Sequence, residues 1–152
     1  MNELSISRFI AAPPDRVWQA MTDRQDEWWC PLPWRNETKL LERRAGGRWL
    51  GVMNGPGGEE VTNDAVILAW DEGKRFVSTD AVRIVDGEYM PATNFMVGTW
   101  QIEPATQDGV EGTLYSASAR HWSEETCKQH EQMGFVEGWQ ACAAQLAALC
   151  ED

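Results

Sequence analysis

Residues 123–149, SEETCKQHEQMGFVEGWQACAAQLAAL, decide the fold. Phe135, Trp139, Cys142, Leu146 and Leu149 recur at steps of four, three, four and three, which puts them on one face of an α-helix. Taken as one helix, the stretch is roughly 40 Å long at a rise of about 1.5 Å per residue. Ser123 supplies an N-cap, and Glu124 and Glu125 complement the positive helix end. Gly134 and Gly138 lie at the edge of the apolar face, where each costs about 1 kcal/mol relative to Ala, so they mark a close approach or a bend. Leu146 and Leu149 belong to plain core. Lys128, Glu131, Phe135 and Trp139 make a polar and aromatic end, and His130 falls on the far side of the wheel, away from any cavity.

Everything before this helix reads as a surface for it to lie on. Leu4–Ala11 alternates as a strand, and Pro13-Pro14-Asp15 breaks it and opens a first short helix with Val17, Trp18 and Met21 on one face. Thr22 or Asp23 caps a second short helix ending at Trp28-Trp29, and Cys30-Pro31-Leu32-Pro33-Trp34 is a proline-stiffened loop that cannot be helical. Strands are then expected at Glu37–Arg43, Arg48–Met53, Val61–Trp70, Arg75–Val82, Phe95–Glu103 and Gly112–His121, separated by turn chemistry such as Ala45-Gly46-Gly47 and Asp108-Gly109. Arg83–Asn94 reads as a long loop with at most a short strand. Short turns between successive strands favour an antiparallel meander. With a terminal helix it gives an α+β domain spanning residues 1–152, a curved sheet of about six to seven strands wrapped around the last helix.

Composition narrows the function. The net charge is −11 with no run of Lys or Arg, so nucleic acid and anionic membrane are poor partners. No apolar run approaches a membrane span and the N-terminus has no signal-peptide core, which points to the cytoplasm. The four cysteines show no CxxC pairing and read as reduced thiols rather than disulfides or zinc ligands. Nine tryptophans are more than a core of this size ordinarily uses; they suggest a lined cavity or an aromatic surface.

The stretches FIAAPPDRVWQAMTD, AGGRWLGVMNGPGG, KRFVSTDAV and GTLYSASARHWSEETCKQHEQMGFVEGW, in this order, resemble the START-like helix-grip (SRPBCC) superfamily. Within it they resemble the branch named for the activator of Hsp90 ATPase, the AHSA1-like proteins. The resemblance implies an apolar cavity between the long helix and the sheet, used by carriers, cyclases, ring-hydroxylase subunits and co-chaperones alike. Eukaryotic co-chaperones of this kind carry an additional N-terminal domain, whereas this chain begins at the first strand; the expectation is against a chaperone partner.

Chemical motifs are sparse. NGPGGEE lacks the Lys-Ser/Thr of a phosphate loop, and His130-Glu131-Gln132-Met133-Gly134 lacks the second histidine of a zinc protease. With two histidines and no nucleophile motif, neither metal nor cofactor is expected. His121 is in phase with Tyr115, Ala117 and Ala119 on one strand face, and His121 and Tyr115 are the candidates for proton transfer. The candidate ligand contacts are Trp28, Trp29 and Trp34 as a lid, Phe95, Trp100, Tyr115, Phe135 and Trp139 as walls, and His121, Lys128 and Glu131 as polar handles. The function expected is binding of a small apolar or aromatic molecule as a carrier or sensor. The alternatives are a cyclase- or isomerase-type enzyme in the same cavity and a co-chaperone-like interaction module; a homodimer is left open.

Overall fold

Pro14 occupies the first helical position, where a missing N–H is harmless, and so separates β1 (Glu3–Ile10) from α1 (Pro14–Asp23). The computed structural model describes residues 2–93 and 95–151. α2 (Gln25–Trp28) follows at once, with Arg24 as its N-cap; Thr22 and Asp23, expected to cap it, belong to α1. The strands are β2 (Arg35–Leu41), β3 (Arg48–Asn54), β4 (Glu60–Asp71), β5 (Arg75–Thr79), β6 (Val82–Val85), β7 (Glu88–Pro91), β8 (Met96–Gln107) and β9 (Val110–His121). The stretch read as a long loop therefore holds the β6–β7 hairpin, and Asn94 lies outside the described residues.

Seven strands form one sheet in the order β1-β9-β8-β5-β4-β3-β2, every adjacent pair antiparallel. β1 and β2, consecutive strands in the chain, thus sit on opposite edges, and α1 and α2 carry the chain between them. Register shifts at Thr38/Leu40 and Ile67/Ala69 insert extra residues into β2 and β4, and such bulges bend a strand and increase its twist. At the β8–β9 turn, Asp108 and Gly109 both have positive φ, as a two-residue hairpin with a right-handed twist demands.

The terminal segment departs from expectation at one residue. It is two helices, α3 (Glu124–Gln132) and α4 (Phe135–Cys150), because Gly134 adopts φ 93° and breaks the ladder. Ser123 caps α3 by accepting a hydrogen bond from the Thr126 N–H (3.2 Å). α4 buries Phe135, Trp139, Cys142, Ala143, Leu146, Ala147 and Cys150 on the concave face of the sheet, while Leu149 is half-buried and α3 has no fully buried residue. This is the helix-grip architecture. No helix among the described residues is long and apolar enough to cross a membrane.

Candidate ligand-binding cavity

Two neighbouring rows of side chains cross the sheet beneath α4. Register places Trp70, Phe76, Trp100, Ala117 and Ile6 directly opposite one another across β4, β5, β8, β9 and β1. Trp70 stacks on Phe76 (5.1 Å between centroids) and Phe76 on Trp100 (5.2 Å). The next row is Ile67, Ser78, Gly98, Ala119 and Leu4, and its middle is small. A Cβ on Gly98 would sit 2.6 Å from Trp100 Cη2, so the glycine admits the indole that leans across it. Trp100 and Ser78, one from each row, line a cavity of about 480 Å³.

Its aromatic wall is a connected set. Trp100 stacks on Trp139 of α4 (5.6 Å), Trp29 meets both edge-on (5.5 and 5.2 Å), and Trp49 of β3 meets Trp100 edge-on (5.2 Å). Phe135 continues the wall from Trp139 (4.4 Å), and Phe95 and Met96 close it from the start of β8. Polar lining comes from Asn36 of β2, Asp64 of β4, Ser78 and Thr79 of β5, Asp80 just after it, and Arg83 of β6, among apolar residues such as Met53, Ala65 and Cys142. The exposed Met133 and Val61 mark where the cavity meets solvent.

A single α4 side chain holds the aromatic loop in place. Gln145 Nε2 donates to the backbone carbonyls of Trp28 (3.0 Å) and Cys30 (2.9 Å), while its Oε1 accepts from the Leu32 N–H (3.1 Å). The Cys30 N–H donates to Cys142 Sγ (3.2 Å). These bonds keep Cys30 at φ 124°, a conformation costly for a residue with a Cβ, and so aim Trp29 and Pro31 at the cavity. Gly138 lies beside Pro31, and a Cβ there would make only ordinary contact with Pro31 Cγ (4.0 Å).

His130 corrects the helical wheel. Because Gly134 interrupts the helix, the phase of α3 is not that of α4, and His130 turns inward to line the cavity. Its Nδ1 shares a hydrogen bond with Nε2 of His121 (3.0 Å), and Phe95 packs against both rings (4.7 and 5.1 Å). Burial drops His130 to about 4, helped by the adjacent His121. Burial also lowers His121, partly opposed by the Phe95 backbone and the Asp80 carboxylate. Both rings are neutral at pH 7, one donating and one accepting.

The structure gathers Trp29, Phe95, Trp100, Phe135 and Trp139 around one space. The other expected contacts lie elsewhere. Trp28 is solid core, edge-on to Tyr115 (6.1 Å), and Tyr115 is itself fully buried, its phenol raised well above the usual value by burial and then by Cys142. His121 stands behind His130 rather than on the wall, and Trp34 is half-buried off it. Lys128 and Glu131 face outward: Lys128 pairs with Glu124 (3.3 Å), not with Glu131. Trp49, Asp64, Asp80, Arg83 and His130 are cavity residues the sequence did not reveal, because their facing depends on register and on the Gly134 break. Cys30, Cys142 and Cys150 are buried free thiols, and Cys127 is half-buried.

The family model for activator of Hsp90 ATPase homolog 1-like proteins matches residues 11–151. Among solved structures, protein NE0264 from Nitrosomonas europaea is 32% identical, with 97% of this chain and 92% of that one covered and a TM-score of 0.85. Protein Ms6760 from Mycobacterium smegmatis is 29% identical over 97% and 89% of the two chains, TM-score 0.76. An AHSA1 protein from Silicibacter pomeroyi shares 18% identity over 96% and 95% of the chains at TM-score 0.68, a likeness of fold alone. No curated protein matches the chain. With the helix grip in place and the family match running over nearly its whole length, the chain belongs to the activator of Hsp90 ATPase homolog 1-like family.

Proposed function

We propose that the protein binds a small apolar or aromatic molecule in the space between α4 and the sheet. The observation that supports this reading is the cavity itself. At about 480 Å³ it falls in the range of small-molecule sites, roughly 300–1,000 Å³, and its walls are aromatic faces with a few polar groups on one side. Trp29, Phe95, Trp100, Phe135 and Trp139 are the residues proposed to touch the ligand. Burial of apolar ligand surface against them supplies the affinity, at roughly 25 cal/mol per Å², and the polar side supplies orientation.

The test is a panel of neutral aromatic alcohols and hydrocarbons, screened by thermal shift and native mass spectrometry. Saturable one-to-one binding is expected, with Tm rising as concentration rises. Ser78→Val, which puts a larger, apolar side chain on the cavity wall, is expected to remain folded and weaken that binding. A panel in which nothing binds, or in which Ser78→Val binds as well as the parent, sinks the proposal.

A further inference from the structure

The charged groups lining this cavity are not evenly satisfied. Asp64 is gripped by the Arg48 guanidinium through two hydrogen bonds (3.0 and 2.9 Å), and Arg83 approaches the same carboxylate (3.6 Å). Arg83 is the only Arg or Lys among the described lining residues, so the cavity's one cationic side chain is already engaged. Asp80 differs. One of its oxygens, Oδ1, accepts the Phe95 and Met96 backbone N–H groups (3.2 Å each), which tie the start of β8 to the end of β5. Among the described residues no Lys, Arg or His forms an ion pair with it. Burial lowers both nearby imidazoles, His121 and His130, below the ordinary histidine value, which disfavours positive charge on them at pH 7.

A lone carboxylate therefore shares the lining with Trp29, Trp49, Trp100, Trp139, Phe95 and Phe135. Aromatic faces carry negative quadrupole density and attract cations. They add to the pull of the carboxylate, and partial shelter from water strengthens both. The net charge of −11 acts at longer range in the same sense, raising the local concentration of cations and excluding anions.

We propose that the ligand is an amphipathic amine: an apolar or aromatic body against the tryptophan wall, with a protonated amino group directed at Asp80. This rests on the cavity reading above and adds the sign of the charge that the cavity selects.

The experiment compares three probes of one shape, 1-naphthylmethylamine, 1-naphthalenemethanol and 1-naphthoate, by isothermal titration calorimetry at pH 7 with the full chain and its Asp80→Asn variant. Asn retains the oxygen that accepts from Phe95 and Met96, so the β5–β8 tie persists. A thermal melt and circular dichroism check it. The amine is expected to bind about tenfold tighter than the alcohol, a difference of about 1.4 kcal/mol, and the carboxylate weakest. Asp80→Asn should remove most of the amine's advantage over the alcohol. If that variant does not fold, the salt dependence of the parent decides: amine affinity must fall as NaCl is raised while alcohol affinity holds. Alcohol or carboxylate binding as tightly as the amine overturns the proposal and leaves the cavity reading standing. Tight carboxylate binding lost in Arg83→Gln would instead assign an anionic ligand. Failure of all three probes to bind removes both readings.

Discussion

His130 makes stability depend on pH through one imidazole. Its folded-state value of about 4 lies below the ordinary value near 6.5. As pH falls, the unfolded chain therefore takes up the proton first, and stability present above pH ~6.5 is lost between there and about pH 4. The full shift corresponds to about 3 kcal/mol, reduced to about 2 kcal/mol because the ring is not wholly withdrawn from water. Urea titrations across that window should show a flatter pH dependence for His130→Gln than for the parent. Identical slopes would place the sensitivity elsewhere. Gly98 is a second position where one atom matters. A methyl there meets Trp100 at 2.6 Å, and that indole is already boxed in by Phe76, Trp29, Trp49 and Trp139. Gly98→Ala should cost about 1–3 kcal/mol by overpacking, read as a lowered urea midpoint at constant slope.

At the scale of elements, the cavity depends on how the 28–34 loop is fastened to α4. Gln145 satisfies three backbone groups of that loop with one amide. Gln145→Ala leaves the Trp28 and Cys30 carbonyls and the Leu32 N–H without this partner, and each buried polar group left unpaired costs about 1–3 kcal/mol. Water will recover part of the loss at the exposed Leu32. The expected outcome is a protein that still folds, less stable by about 2 kcal/mol. Its Cys30–Leu32 amides should exchange with solvent faster in hydrogen-exchange mass spectrometry, while those of β8 and β9 stay protected. Uniform acceleration across the sheet would show that Gln145 supports the whole fold rather than the loop. Gly134 works in the opposite way, by release: its left-handed conformation ends one helix and begins another, and so lets α3 present a histidine that a continuous helix would turn outward.

For the whole molecule, a net charge of −11 means that the folded state carries self-repulsion. Raising salt from about 0.01 M to about 0.15 M shortens the screening length from about 30 Å to about 8 Å. The melting temperature should rise modestly over that range, and a fall would mean that favourable ion pairs outweigh the repulsion. The architecture was legible because its signals are local and periodic: the α4 stripe from Phe135 to Leu149, the proline break at Pro13-Pro14, and the Tyr115–His121 alternation, whose four residues are all buried. The candidate site was legible where a residue lay on such a pattern, as Phe135, Trp139 and Trp100 do, or in the aromatic proline-stiffened loop, as Trp29 does. Trp49 reaches the cavity through the register in which β3 pairs with β2 and β4, which spacing alone does not encode. Lys128, Glu131 and His130 were misplaced together, because the wheel was carried through Gly134 as though the helix were continuous.

The pairing of the two chain ends carries a kinetic consequence. Glu3 lies opposite Arg120 and Ile10 opposite Thr113, so β1, made before the other strands of this sheet, has no partner until β9 exists. Closing so long a loop comes late, since its entropy must be met before the contacts reward it. Until then β8, later covered by β9, and the inner face of β1 stay open to pairing with another chain. Ser5 and Ser7, exposed residues of β1, keep one side of that waiting strand polar, which makes association in the wrong company less favourable before α4 settles.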